Sequence, residues 1–263
     1  LQKMNNLKFL KKTCEEIKLT AFQMLVNKGG GHFGGSFSCA EILTSLFFKI
    51  LGKKDRFIMS KAHAGVILYS VFFKKKIINS KILKSYGHEN STLGVHGEHE
   101  LLKPVEFSCG SLGHGLSYSC GLALGYKKRK QKTKVFCLIG DGEMQEGSIW
   151  EGLLFAAHHK LSNLYIILDN NKKQSSGLVK EILNLEPINK KISSFNFEIK
   201  SCNGHDIKEI IKKIKQFKNK KKPKFLIANT IKGKGIKFLE NKKDCHYDVL
   251  EKDIIEKFKR KHF

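Results

Sequence analysis

At 263 residues, with 41% apolar side chains, the chain can build one large or two small domains around a substantial core. It has no apolar run of the ~18 residues a transmembrane helix needs, and LQKMNNLKFLKK at its start lacks a signal-peptide core, so no membrane partner and a cytoplasmic setting are expected. The formal charge of +25 is nearly all lysine, densest over 208–224 and 251–261, without the aromatic–arginine interleaving that reading or stacking bases needs; it fits biased composition and attraction of phosphorylated small molecules, not a specific nucleic-acid partner.

Apolar residues Leu7, Leu10, Cys14, Ile17, Phe22, Leu25 and Val26 recur at helical spacing, predicting a helix over 5–28. Gly29-Gly30-Gly31 ends it, and GGGHFGG over 29–35 is a turn presenting His32. A helix is predicted from Ser38 to Lys49, with Ser38 as N-cap and Glu41 closing a capping box. Asp55 to Met59 is a short apolar run that delivers Ser60 and His63, and residues 64–73 and 81–85 read as helices. The stretch 86–115 is too long and irregular for a simple connection and is read as functional. Its end, GSLGHG, opens a helix of small residues over 116–126.

Val135 to Ile139 is a strand that stops at Gly140-Asp141-Gly142. A helix follows over 148–160, and a second apolar strand, Leu164 to Leu168, ends at Asp169-Asn170-Asn171. Beyond it the pattern predicts a helix over LNLEPINKKISSF and a short strand at the start of 197–206. Asp206 then caps a helix over 207–217, a last buried strand spans 225–231, and a basic amphipathic helix follows His246. Strands alternating with helices give an α/β class: three layers and a mostly parallel sheet of five or six strands. Seven cysteines without a CxxC pair, several inside apolar runs, read as reduced buried thiols.

The unit over 135–171 carries chemistry. A strand, helix and strand of these lengths make a right-handed parallel crossover. Neighbouring strands lie ~4.8 Å apart. Asp141 and Asn171 thus leave adjacent carboxyl ends, where open parallel sheets bind ligands. Gly-Asp-Gly after a strand is common on its own; the second strand ending in Asn-Asn gives it weight. One carboxylate and one amide oxygen, with positions left over, suit a hard cation that also takes phosphate oxygens. His32, His63, His96 and His246 stand in loops rather than on apolar faces, where imidazole can shuttle protons and hydrogen-bond hydroxyls or phosphates. No GxxxxGK[ST] occurs, and His96-Gly97-Glu98-His99 has the order of neither zinc-hydrolase motif. His158 and His159, on the crossover helix, are assigned to packing and surface.

GDG, about twenty-seven residues, then NN resembles the diphosphate–metal motif of thiamine-diphosphate enzymes. GDGEMQEGSIWEG and FAAHHKLSNL resemble transketolase in its form split into two chains. GGGHFGG is similar to that family's GHPGG loop, with Phe33 for proline. RFIMSKAHAG, STLGVHGEHE (Gly97 for proline), FSCGSLGHGLS, LNLEPI, NGHD and KGKGIKFLENKKDCHY add matches from about 17 to 250.

The resemblance implies a thiamine-diphosphate-binding domain of the diphosphate (PP) type over 1–263. Asp141, Asn171 and the Lys173 carbonyl would hold magnesium, or calcium or manganese. His63, Gly142 and His96 would touch the diphosphate, and Gly110, Ser111 and Leu112 would pack by the aminopyrimidine. His32 and His246 would move protons on the substrate, and Glu146 would face the partner's activating glutamate. The absent prolines imply looser loops at His32 and His96, and Cys245 and Tyr247 replace the usual neighbours of His246. The chain stops soon after KGKG, so the pyrimidine-binding domain is expected on a separate C-terminal chain, in a heterotetramer acting on sugar phosphates. Alternatives are half of a related synthase (deoxyxylulose-phosphate synthase, or a ketol transferase for a specialised sugar), or a non-catalytic basic binding protein on a decayed enzyme half. The QEG and SKAHA segments favour transketolase over the first of these synthases.

Overall fold

The computed structural model describes residues 2–262, with side chains over 6–260. Helix α1 (Gln2–Asn27) leads to α2 (Phe33–Ser38), α3 (Ala40–Ser45) and strand β1 (Arg56–Met59). Helices α4 (Gly65–Lys74), α5 (Ser80–Lys84) and α6 (His114–Lys128) precede β2 (Val135–Gly140). Then come α7 (Gly147–His158), β3 (Leu164–Asn170), the two-residue strands β4 (Lys173–Gln174) and β5 (Gly177–Leu178), α8 (Val179–Ile182) and α9 (Ile188–Ser194). The chain closes with β6 (Glu198–Asn203), α10 (Ile207–Lys215), β7 (Lys224–Asn229), α11 (Lys237–Asn241) and α12 (Lys252–His262).

One five-stranded sheet runs β1-β2-β3-β7-β6, every pair parallel. The α/β class and the three layers are those read from the sequence. Strand alternation explains the layers. Phe136, Leu138, Ile167, Leu226 and Ala228 face a core shared with α1, α3, α4 and α10. Val135, Cys137, Ile139, Ile166, Leu168 and Ile227 face a second core under α6, α7 and α9. The chain leaving β2 and β3 turns to the second face, whereas that leaving β7 turns to the first. The carboxyl ends of β3 and β7 therefore part, leaving a crevice for a ligand.

Several boundaries differ from the sequence reading. Ser38 does not cap a helix: α2 begins at Phe33, and a break at Cys39 separates it from α3. The Ser38 hydroxyl is engaged elsewhere, on Asp169 and the Gly35 carbonyl. Glu41 closes no capping box; it is buried and pairs with Lys18 at 2.5 Å. The helix expected over LNLEPINKKISSF is confined to Ile188–Ser194, and β7 ends at Asn229, not 231. The β4–β5 hairpin had no signal, being two residues per strand. Asp206 does cap α10, accepting from the amides of Lys208 and Glu209. All seven cysteines are free and buried. Among the described residues, no helix is long and apolar enough to cross a membrane.

Candidate active site

A cavity of about 330 Å³ opens at the carboxyl ends of the central strands. Asp141, Gly142, Asn171, Lys173 and Gln174 line it beside His63, His246, Leu112 and Glu146. Asp141 leaves β2, and Asn171 leaves β3 one strand away, in the register where Gly140 faces Asp169. Asp141 is buried, accepting from the amides of Gly142 and Lys172. Burial, with Asp169 nearby, pushes its carboxyl up to about 7. The Asn171 amide oxygen accepts from the Lys173 amide at 3.1 Å, and the buried Gln174 Oε1 has no partner.

Two buried carboxylates stand on neighbouring strands, but only one is neutralised. Asp169 receives Lys61, Ser38, Thr230 and Asn171. Burial alone would raise its carboxyl; Lys61 and the hydroxyls outweigh that and hold it below its ordinary range. Asp141 receives amide hydrogens and no cation. An oxygen-only set of Asp141, Asn171 and the Lys173 carbonyl, around an uncompensated charge, fits a magnesium-sized ion. Among the described residues, no group of three His, Cys, Asp or Glu is placed to hold a metal. The rest of such an ion's coordination shell would come from water or from a ligand's oxygens, as a diphosphate supplies. The Lys232 ammonium now lies 3.3 Å from the Lys173 carbonyl and 3.1 Å from that of Gln174.

The histidines converge from four segments. His246 is 5.0 Å from His63 and 4.9 Å from His32, ring centre to ring centre; His96 is 6.4 Å from His32. Burial first, then neighbouring cations and histidines, lowers His32 and His246 to about 4. His63 is pushed well below its ordinary value by burial and Lys61. All three are neutral near pH 7, so they can donate and accept hydrogen bonds without carrying charge into the pocket.

The missing proline does not loosen the His32 loop. Phe33 is fully buried, edge-on to Phe22 at 5.8 Å, and anchors the segment through its ring. Gly31 and Asp248 exchange two backbone hydrogen bonds, at 2.9 and 3.0 Å, which pin the His32 turn to the His246 segment. Gly34 lets them approach: a Cβ there would lie 2.1 Å from the Cys245 carbonyl oxygen. Gly34→Ala is accordingly expected to cost about 1–3 kcal/mol, the scale of overpacking, and to displace His246; an unchanged melting temperature would contradict this packing.

The GSLG loop meets the site at one end only. Leu112 lines the cavity, while Gly110 and Ser111 are exposed at its rim with Glu146. Glu143, which the sequence reading passed over, ties the loop down. It is buried and accepts from Ser60 and from the amides of Gly113 and Gly140. Lys61, Asp169 and Lys232 were also missed as site residues. Their signal was present: a charged residue ending or following an apolar strand, as with Asp141. Behind the site, Glu41 takes Lys18 and His205, and the other His205 nitrogen accepts from the Ile231 amide at 2.8 Å, next to Lys232.

The family described as "Transketolase, thiamine diphosphate binding domain" matches residues 10–263. One of the apulose-4-phosphate transketolase subunits, that of Actinobacillus succinogenes, is 39% identical over 236 residues, 86% of each chain. The 6-deoxy-6-sulfo-D-fructose transketolase subunit of a Clostridium species is 34% identical over 236 residues, again 86% of each. The crystal structure of transketolase from Campylobacter jejuni superposes with a TM-score of 0.88 at 30% identity, covering 97% of this chain and 43% of that one. The chain thus spans about two fifths of that solved transketolase.

Proposed function

This chain belongs to the transketolase family, and from that premise we propose that it is the diphosphate-binding subunit of a two-chain, thiamine-diphosphate-dependent transketolase. The reaction is transfer of a two-carbon ketol unit between sugar phosphates. The observation that carries it is one cavity holding an uncompensated Asp141 beside a cluster of neutral histidines. When bound, thiamine diphosphate supplies the carbon that takes up the ketol unit, and the metal neutralises its diphosphate.

The chain's own residues divide the remaining work. Asp141, Asn171 and the Lys173 carbonyl hold the metal, and Gly142 admits the diphosphate to the backbone. Lys61 keeps Asp169 ionised and rigid, so the second carboxylate does not compete for the cation. His63, the innermost of the histidines, hydrogen-bonds the diphosphate. His32, His96 and His246 orient the sugar's oxygens, and His32 and His246 take or return the hydroxyl proton as the carbon–carbon bond breaks or forms. The glutamate that activates the cofactor comes from a second chain, which meets the exposed rim of Gly110, Ser111 and Glu146. The names of the two bacterial relatives, each a subunit of a larger enzyme, support the split form, and a two-fold heterotetramer is its simplest assembly.

A specialised sugar is the second reading, favoured by the names of the same relatives, which act on apulose 4-phosphate and a sulfofructose. The test is to purify the chain alone and with a pyrimidine-binding partner, then offer xylulose 5-phosphate and apulose 4-phosphate as donors. The isolated chain should be silent, and the pair should transfer a ketol unit from at least one donor. Full activity from the isolated chain overturns the two-chain reading; a silent pair with both donors overturns the activity.

A further inference from the structure

The net charge of +25 is not spread evenly over the fold. In a parallel sheet the loops that enter the strands lie at one end, opposite the loops that leave them. The entering loops read KK at 53–54 before β1, KKRKQKTK over 127–134 before β2, Lys160 before β3 and KNKKK over 218–222 before β7. Asp55 is the carboxylate among them, and it accepts from the amides of Gly52 and Lys134 at 2.9 and 3.0 Å. The cavity end differs. Residues 141–146 carry three carboxylates and no lysine, and 240–251 mixes Glu240, Asp244, Asp248 and Glu251 with Lys242 and Lys243. Biased composition alone would load both ends alike. Cations favour the last turn of a helix, which accounts for Lys127, Lys128 and Lys215 but not for the lysines beyond the helix ends.

Bonds between loops join them into one face, in the order of the sheet. The Lys134 amide on Asp55 ties the β2 loop to the β1 loop. Lys127 Nζ donates to the carbonyls of His159 and Lys160 at 2.7 and 3.0 Å, tying the β2 loop to the β3 loop. The buried Lys224 donates to the carbonyls of Ser162, Asn219 and Lys222 at 2.6, 2.6 and 2.8 Å, tying the β3 loop to the β7 loop. Among the described residues, no lysine of 127–134 or 218–222 pairs with a carboxylate. Like charges held together in this way repel one another, and an anionic partner relieves the repulsion.

We propose that this lysine face, at the amino ends of the strands, docks the phosphate backbone of a nucleic-acid double helix without reading its sequence. It is a second surface, independent of the ketol-transfer reading: the six residues of β2, roughly 20 Å of strand, separate it from the cavity. The row of loops entering β1, β2, β3 and β7 is roughly 15 Å long, and a duplex carries on the order of ten charges over that length. No ring is offered for bases to stack on. Tyr165, beneath the face, is covered by the ammonium groups of Lys134 and Lys224, 5.9 and 5.7 Å from its ring centre. A single strand therefore gains nothing from stacking here. The loops also expose no apolar side chain to insert into a lipid surface. Lysine acts as a point charge, so the contact is to backbone phosphate and carries no base preference.

The test is fluorescence anisotropy of the full chain with labelled DNA duplexes of two unrelated sequences, about 20 base pairs long, and with their single strands, between about 50 and 200 mM salt. The face variant combines Lys130→Gln, Lys132→Gln, Lys220→Gln and Lys221→Gln, all at exposed positions. A control of equal net charge combines Lys180→Gln, Lys237→Gln, Lys243→Gln and Lys252→Gln, exposed elsewhere. Wild type should bind both duplexes alike, more tightly than the single strands and with a steep dependence on salt. The face variant should bind at least about tenfold more weakly near 100 mM salt, with a slope of log affinity against log salt shallower by about 3–4, the scale of four lost phosphate contacts. The control should stay close to wild type. If the fourfold variant fails to fold, Lys220→Gln with Lys221→Gln should still flatten the slope by about 2. An equal loss in the face variant and the control makes binding a matter of net charge and overturns the proposal. So does a wild type that binds no duplex near 100 mM salt, or that prefers one sequence or single strands. Binding to phosphatidylserine vesicles but not to duplexes also overturns it and moves the face to a membrane. None of these readouts uses the cofactor or a sugar, so a failure of ketol transfer leaves the lysine face untouched.

Discussion

Replacing Asp141 by asparagine is expected to abolish metal-dependent binding of thiamine diphosphate and, at the same time, to stabilise the empty chain above pH 7. Both follow from one buried charge. In the fold the carboxyl is held up to about 7 by burial and Asp169, against an ordinary value of 3.8. A group raised in this way contributes stability below pH 3.8 that is lost as pH rises through about 7. The full penalty for ionising it is on the order of 4 kcal/mol. The asparagine amide would face a backbone amide of Gly142 or Lys172, which costs about 1–3 kcal/mol. A net gain of about 1–3 kcal/mol remains above pH 7, shrinking towards pH 4. Thermal melts of both chains across that range measure it. Adding magnesium and thiamine diphosphate with the partner present should invert the order, because only the wild type gains stability by binding. An asparagine variant that is less stable than wild type at pH 8, or that still binds the cofactor at wild-type affinity, contradicts the role given to Asp141.

His32→Ala is expected to lower turnover of the assembled enzyme by ~10²-fold or more, the scale of a lost acid–base group. His63→Ala should instead raise the apparent cofactor constant, with a smaller loss of turnover at saturation. The two rings are only 5.6 Å apart, so a general collapse of the pocket would produce the same defect in both. Steady-state kinetics at saturating and limiting cofactor separates them, and matching effects on cofactor binding alone would refute the division of roles. A pH signature accompanies it. His32 and His246 sit at about 4 in the fold against an ordinary 6.5. Their contribution to stability is present above pH 6.5 and is lost as pH falls towards 4. His32→Ala should flatten that acid loss, seen in melts of the chain alone.

The sheet was legible because its strands are apolar runs buried on both faces, and such runs stand out against a lysine-rich background. Asp141 and Asn171 were legible for the same reason: each follows the abrupt end of such a run. What escaped was pairing at long sequence separation. Nothing in SKAHA says that Lys61 reaches Asp169, and nothing in GDGE says that Glu143 reaches back to the GSLG loop. Spacing reports neighbours on one helix or strand, not neighbours across strands. The start of α2 was misplaced because Gly34 and Gly35 are poor helix formers locally. The fold needs them for room: a Cβ at 34 meets Cys245 and one at 35 meets His63. Tertiary packing overrode propensity where the two histidine segments meet.

The exchange of hydrogen bonds between Gly31 and Asp248 also orders events in time. It joins a turn near the start of the chain to a segment near its end, so the histidine pocket has the longest loop to close of any part of the site. Closing such a loop costs chain entropy before any contact repays it. The residues proposed for the metal, between 141 and 173, are made by a compact crossover and need no such closure. During synthesis they can be in place while His32 still waits for His246 to leave the ribosome. A nascent chain cut before residue 245 would hold the residues proposed for the cofactor and lack His246, one of the three histidines proposed for the sugar. On the proposed roles, the residues for diphosphate and those for substrate are thus completed at different moments in the life of one polypeptide.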